Sequence, residues 1–510
     1  MLPEPPEWED AAFIEKLIGA TAIDTLVNEK IAPPPTLDQA SNATANHATA
    51  LSLDAAVWQV LQNNLNLQSV RLAPEKSEQA VRAARAAFDP TFSAAAGYDL
   101  LDHQHSGASE TYDNAASGGV GITEELPTGT TVKVGADFDT AWRSNHGNPR
   151  GTSGGWELSG TGSVTQKLLK GRGLDINLIS VRQARLDAQI SRYQLRDAVE
   201  DALAQTEDNY WDLVLAREAI VIRQEALNLA GERLRETEEK INVGKLAPAD
   251  IAQARGDVAE KFTNLLAARH EYDRFSLEML ARINPHGRRF QPLAVAAMPN
   301  APAVTLDRFR DHVALGLRER PDLNESKLRL QRGELEVKRT RNGLLPDLDL
   351  TVTVGGGGGG SRAGWNWTNN DDFAVGGRLN FSQPLGRRQE KAAHRRAEID
   401  AAQARLALEN LQLQITVDIR LRYLSVKRYQ REIATTALAV KQYELALVAM
   451  REKFRVGTAT SLDVATAELQ YTESRLRAAQ AVINTIKELT GLYRADGSLL
   501  TRRGVRVEDN

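Results

Sequence analysis

The stretch Val243-Gly244-Lys245-Leu246-Ala247-Pro248-Ala249-Asp250-Ile251-Ala252-Gln253-Ala254 returns 213 residues later as Val456-Gly457-Thr458-Ala459-Thr460-Ser461-Leu462-Asp463-Val464-Ala465-Thr466-Ala467. Tyr210 and Tyr423 share the same offset. Before the first turn, Leu227, Ala230, Leu234, Thr237 and Ile241 alternate at spacings of three and four; Val440, Tyr443, Leu447, Met450 and Phe454 do so before the second. A 3.5-residue period predicts a left-handed coiled-coil seam. Past the second turn, Leu462, Leu469, Leu476 and Ile483 carry a heptad on the way back. Each copy is expected to be a helical hairpin folded at a Gly-containing tip, where glycine supplies the positive φ that ends a helix.

Working outward, residues 387–456 hold neither Gly nor Pro, and residues 174–243 hold only Gly231. Each is long enough for a rod of roughly 100 Å. Leu67 and Pro90 match Leu323 and Pro346 at an offset of 256, whereas Gln166 matches Gln383 at 217. The chain thus reads as two tandem copies of helix, Gly-rich stretch, long helix, tip and return helix, the first carrying 39 extra residues in its Gly-rich stretch. That is about one hairpin, placed at roughly 118–140. Of the 37 glycines, 25 fall within 97–173 and 355–386.

These glycine-rich stretches read as strands. Val132, Val134, Ala136 and Phe138 alternate with Lys133, Gly135, Asp137 and Asp139; Thr351 to Val354 and Arg378 to Ser382 behave likewise. Period-two alternation gives one apolar and one polar face. Leu126-Pro127-Thr128-Gly129 is a turn. Alternating strands broken by Gly, Asn and Asp turns are the weak signature of a membrane β-barrel. Trp142, Trp156, Trp365, Trp367, Tyr98 and Tyr112 stand where interface aromatics belong. Taken alone, the strands fit a soluble sandwich better.

Composition narrows the function. The 510 residues carry 63 Lys and Arg against 67 Asp and Glu, a net charge of −4, which argues against a bulk nucleic-acid binder. Apolar residues make up 42%, enough for a core. The absence of cysteine removes disulfides, thiolate metal sites and thiol nucleophiles. No run of about 18 consecutive apolar residues is present, so no transmembrane helix is expected. The first thirty residues, with Pro3, Pro5, Pro6 and acidic residues up to Asp10, lack the pattern of a signal peptide, so a leader is expected to be missing from this sequence.

With both copies laid out, the chain resembles the TolC-like outer-membrane efflux proteins over roughly residues 51–495. The likeness rests on several motifs in twice-repeated order. Leu51-Ser52-Leu53-Asp54 with Asn63-Asn64 and Arg320-Pro321-Asp322-Leu323 belong to the first helices. Val164-Thr165-Gln166-Lys167-Leu168-Leu169 and Ser382-Gln383-Pro384-Leu385 end the strand blocks. Asn209-Tyr210-Trp211-Asp212 and the two tips complete the set. The resemblance implies an α+β membrane protein: a homotrimer whose subunits share one transmembrane β-barrel in outer-membrane lipid, continuous with a long periplasmic α-helical barrel. Its division is 1–50 extension, 51–90 first helix, 91–166 strands with the extra hairpin, and 167–290 long helix, tip and return. After a linker at 291–303 come 304–345 first helix, 346–384 strands, 385–495 long helix, tip and return, and a tail at 496–510.

The function so implied is an exit duct without catalytic chemistry, cofactor or metal, passively serving a tripartite efflux or type I secretion system. Its partners are a periplasmic adaptor and an inner-membrane transporter, with no nucleic acid. The adaptor is expected at Val243, Gly244, Lys245, Leu246 and Ala247 and at Val456, Gly457, Thr458, Ala459, Thr460 and Ser461. Asp463 matches the first of the inward carboxylates that close the tip end in many members, and three copies make a ring; gathered like charges select cations and raise their own pKa. Thr466 stands where the second acid belongs, so an acidic double ring is doubtful. Asp463 and Asp250 equally suit a helix N-terminus.

Other signals point elsewhere. Gly355–Gly360 satisfies G-x-G-x-x-G, but no helix follows, and the run reads as a mobile connection between strands rather than a dinucleotide site. His103-Gln104-His105 beside Asp102 reads as a solvated loop rather than a metal site. Arg387-Arg388 and Arg395-Arg396 read as a solvated helix face. Two rivals remain: a periplasmic adaptor, which needs one hairpin rather than two, and a soluble coiled-coil scaffold, which needs Leu379 and Phe381 to face a protein core.

Overall fold

A computed structural model describes residues 49–103, 111–145, 153–247, 250–283, 293–300, 302, 305–361 and 372–505. Ser52 opens α1 (Leu53–Asn63), its hydroxyl accepting from the Ala55 amide at 3.2 Å. Asn64 leaves the helix with ψ 115, and its side chain then accepts from the Leu67 amide to start α2 (Leu65–Arg85). In the second copy Pro321 interrupts the chain in the same place, because the residue before a proline disfavours helical ψ. It separates α6 (Phe309–Glu319) from α7 (Pro321–Gly343). Each copy therefore begins with two helices where one was expected.

The remaining helices are α3 (Leu174–Asn177), α4 (Ile179–Asn242), α5 (Asp250–Ile283), α8 (Arg388–Arg455), α9 (Ser461–Ala495) and α10 (Leu499–Arg502). Helices α4 and α8 contain 64 and 68 residues, roughly 100 Å each. The strands are β1 (Thr49–Ala50), β2 (Thr91–His103), β3 (Thr111–Leu126), β4 (Thr130–Asn145), β5 (Ser153–Lys167), β6 (Leu293–Ala294), β7 (Asp347–Ser361) and β8 (Asp372–Ser382). The packing divides the chain into two units. One draws on Met1–Leu72, Tyr193–Asn324 and Asn410–Asn510, the other on Ala73–Arg192 and Glu325–Glu409, as far as those ranges are described.

The first unit holds the helical core. Tyr210, Leu213, Leu227 and Leu234 of α4 pack with Val258, Phe262, Leu265 and Met279 of α5, and Leu51 and Val60 join them. The seam of the first rod follows the heptads through four of its five positions: Leu227, Ala230, Leu234 and Thr237 are buried, and Ile241 at the tip is half-buried. On α9 the predicted seam holds only in part. Leu462 and Leu469 are 54% and 41% exposed, Leu476 is half-buried and Ile483 is fully buried. Near the tip Val464, Ala467 and Ser474 take the packed side, and Leu462 and Leu469 are left outward. A second outward stripe, Leu406, Leu413, Leu424, Leu438 and Leu445, runs along α8. Part of α8 is also long and apolar enough, by composition, to cross a membrane, although none was expected; its apolar content comes with this stripe, and Lys441 and Glu444 fall within it.

The second unit contains one antiparallel six-stranded sheet in the order β2-β3-β4-β5-β7-β8. Its register aligns Phe92, Ile122, Val134, Gly162, Val354 and Val375 in one row. Neighbouring rows on that face hold Val120, Phe138, Leu158, Val352 and Phe373; Glu124 and Gln166 interrupt it near the β3–β4 turn, and Asn114 and Thr140 towards the other end. The opposite face carries Ser93, Gly121, Lys133, Asp137, Ser163, Thr351, Thr353 and Arg378. Tyr98 and Trp142 lie 6.1 Å apart between ring centres on the apolar side. Trp365 and Trp367, the Tyr112 side chain, Gln104 and His105 lie outside the described residues or side chains.

Two readings change here. The six glycines from Gly355 belong to β7 and pair residue by residue with Trp156–Thr161 of β5, so they form a ladder and not a mobile connection. Ladder hydrogen bonds need no side chain. Arg387 is not simply part of a solvated face: at φ 45 it donates to the Leu344 carbonyl at 2.8 Å, tying the start of α8 to the end of α7.

Tyr210 anchors the helical core, fully buried, its hydroxyl accepting from the Ala296 amide at 3.3 Å. Tyr210→Ala is expected to cost about 3–5 kcal/mol, and Tyr210→Phe about 1 kcal/mol, in denaturant unfolding followed by helical circular dichroism.

Candidate functional site

Both tips close by the same backbone geometry. At the first, Gly244 has φ 74; its amide donates to the Ile241 carbonyl at 2.8 Å, and Lys245 donates to Lys240 at 2.8 Å. At the second, Gly457 has φ 82, donating to Phe454 at 3.1 Å, and Thr458 donates to Lys453 at 2.8 Å. These paired bonds satisfy the last carbonyls of each outgoing helix, and only glycine takes that φ without strain. The turns leave Val243 67% and Val456 63% exposed, with Gly244, Lys245, Ala247, Gly457, Thr458 and Thr460 also exposed and Leu246, Ala459 and Ser461 half-buried.

Asp463 has a local role. Thr460 caps α9: its hydroxyl accepts from the Asp463 amide at 3.2 Å, and the Asp463 carboxylate accepts from the Thr460 amide at 2.9 Å. The Thr460 hydroxyl and amide hold the Asp463 carboxyl below the usual carboxylate range. Within one chain the shift is therefore downward, opposite to the direction implied for gathered carboxylates. Asp250 repeats the arrangement, accepting from the Ala247 amide at 3.2 Å. Thr466 is exposed and turns its hydroxyl back to the Leu462 carbonyl at 2.9 Å.

Behind the tips lies a buried ionic cluster absent from the sequence reading. One terminal nitrogen of Arg233 donates to Glu468 and the other to Asp257. Arg451 reaches the second Glu468 oxygen at 3.0 Å, and Lys261 lies 3.4 Å from Asp257. The cluster joins α4 and α5 of the first hairpin to α8 and α9 of the second. Lys240 adds a further tie, donating to the Phe454 carbonyl at 2.7 Å with its ammonium 3.3 Å from the ring centre. Burial lowers its pKa. One signal could have exposed the cluster: the counterpart of Arg233 at the 213 offset is Ala446, so a charge stands beside the seam in one copy alone.

Farther along the same helices, a cleft of about 310 Å³ is lined by Asp197, Glu200, Asp208, Arg320, Arg422 and Lys487, among others. Burial pushes the Glu200 carboxyl up to about 7 against the opposing pull of Arg196, whose Nε lies 3.2 Å away. Burial also raises Asp197 and Asp208.

With the two-faced sheet and paired tips established, the relatives can be compared. Residues 314–498 match the family model for outer membrane efflux proteins. The outer membrane efflux protein BepC of Brucella suis is 22% identical over 324 residues, covering 63% of this chain and 68% of BepC. Among solved structures, CusC superposes with a TM-score of 0.66 at 14% identity, covering 91% of this chain and 96% of CusC. The CmeC outer membrane channel of Campylobacter jejuni gives 0.63 at 15% identity, over 92% and 89%. The chain has the fold of these outer-membrane channels, and its residues 314–498 match the outer membrane efflux protein family.

Glu468→Ala, which strands the buried Arg233 guanidinium, is expected to cost about 3–5 kcal/mol, read as a lower unfolding midpoint. The raised Glu200 carboxyl binds a proton in the folded chain that the unfolded chain has already lost. Stability should therefore fall as pH rises from about 4.5 to about 7. Glu200→Gln should flatten that part of a thermal-denaturation pH series.

Proposed function

We propose that this chain is the outer-membrane exit duct of a tripartite efflux or type I secretion system, conducting passively. Three copies pool their sheets into one barrel in outer-membrane lipid, and their long helices form a periplasmic helical barrel. The observation that carries this reading is the sheet. It presents a broad apolar face, with Leu379 and Phe381 62% and 64% exposed, and ends in two edge strands, β2 and β8. A soluble scaffold would cover that face, whereas lipid covers it at no cost, and neighbouring copies pair the edges. The outward leucines of α8 and α9 are the surfaces that meet neighbouring copies.

The tips are the docking points for a periplasmic adaptor bound to an inner-membrane transporter, with Val243 to Ala247 and Val456 to Ser461 in contact. Exposed valines on rigid, glycine-closed turns support this role. Asp463, with Thr466 three residues farther along α9 and Asp250 at the matching position of the first tip, forms the gate ring at the tip end. The capped carboxylate remains charged at neutral pH, which suits a cation-attracting constriction. The Arg233 cluster holds the two hairpins together at the level behind it.

Two experiments test the reading. Since the chain lacks cysteine, single-cysteine pairs placed along β2 and β8 should give cross-linked species of two and three chain masses in detergent-extracted membranes. A chain that stays monomeric and dissolves without detergent sinks the proposal. Val243→Asp with Val456→Asp should abolish transport in cells and adaptor cross-linking while leaving the cross-linked trimer intact.

A further inference from the structure

Resting on that reading, we infer that the hairpin β3–β4 is a pore-widening insertion. It raises the contribution of each chain from four strands to six, so a trimer closes eighteen strands around an exit wide enough for large water-soluble solutes. The insertion is visible within the chain itself. β2 follows Pro90 as β7 follows Pro346, and β5 runs into Gln166 as β8 runs towards Gln383. What the first copy has and the second lacks is Thr111–Asn145, broader than the 118–140 read from sequence.

The hairpin lies within the wall. β3 pairs with β2 from Thr91↔Thr123 to His103↔Thr111, and β4 pairs with β5 from Thr130↔Gln166 to Arg143↔Ser153. Without it, β2 and β5 meet directly. Both new strands keep the two-faced pattern: Val120, Ile122, Val134 and Phe138 are exposed on the apolar side, while Gly119, Gly121, Gly135 and Asp137 line the other. An ornament outside the barrel needs no such alternation. Adding two strands also keeps β2 and β8 antiparallel when neighbouring copies meet.

The hairpin's turn is knitted into the strand-to-helix junction. The Asn177 side-chain nitrogen Nδ2 donates to the carbonyls of Pro127 at 3.1 Å, Gly171 at 2.8 Å and Gly173 at 3.1 Å. Gly173 donates to Thr128 and Lys167 to Gly129, each at 3.0 Å. Gly129 sits at φ 84, and a Cβ there would lie 2.4 Å from the Gly171 carbonyl oxygen. The turn is therefore fitted to this position.

Strand spacing and tilt convert the count into size. At about 4.8 Å per strand and about 40° tilt, eighteen strands give a backbone diameter of roughly 36 Å, and twelve give roughly 24 Å. On β5 and β7 the polar face is mostly Gly, Ser and Thr, and elsewhere it adds charged residues such as Lys133, Asp137, Asp139 and Arg378, which suit a water-filled bore. The barrel is then no size filter, and selection by size falls to the tips.

Cryo-electron microscopy of the detergent-extracted full chain should show threefold symmetry with eighteen strands. A threefold particle with twelve, the hairpin projecting from it, overturns the inference alone; absence of any threefold particle overturns the exit-duct reading as well. In planar bilayers, polyethylene glycols of graded mass added on the loop side measure the mouth of the barrel. Deleting residues 111–145 should lower the exclusion radius by about a third. An unchanged exclusion radius in a folded deletion variant overturns the inference, and if that variant does not assemble, the strand count of the intact protein decides.

Discussion

The outer strands β2 and β8 each carry a row of backbone N–H and C=O groups with no further strand beside it among the described residues. Hydrocarbon offers those groups no partner, and an apolar face next to them excludes water. A chain with this sheet in a membrane must therefore find its missing hydrogen bonds in other copies of itself. On the exit-duct reading, assembly rather than an internal core completes the strand-bearing unit. On that reading the same dependence accounts for the outward leucines of α8 and for Leu462 and Leu469 of α9.

The two hairpins of the helical unit are tied along their length by charged contacts, around Arg233 and Lys240 behind the tips and then through Arg475 to Glu225, Lys487 to Asp212 and Arg494 to Asp201, with Ile483 of α9 buried in the core of the first hairpin. Breaking one buried charge pair is expensive, whereas sliding one apolar ridge past another is not.

Much of this was legible in the residues. The 213 offset and the 3.5-residue period placed both hairpins and the buried positions Leu227, Ala230, Leu234 and Thr237, because heptad spacing and burial follow from helix geometry. The 39-residue difference in offset announced an extra hairpin. Other features were not legible. The glycine run 355–360 has no side chains to alternate, so only pairing with β5 reveals it as strand. The Leu462 heptad held only at its far end, where Ile483 is buried, while Leu462 and Leu469 near the tip face outward, since leucine spacing cannot tell an internal seam from an outward stripe. Arg233, Glu468 and Asp257 are far apart in the chain and of ordinary type, and only packing brings them together.

Local periodicity and turn chemistry, then, were enough to settle where helices, tips and most strands lie, since those depend on neighbours a few residues apart. The tertiary structure decided what depends on distant partners: that the inserted hairpin joins the sheet, that Asp463 caps its own helix, and that charges fasten one hairpin to the other. Those choices turn on hydrogen bonds and burial between segments up to 235 residues apart, a distance over which sequence spacing carries no geometry.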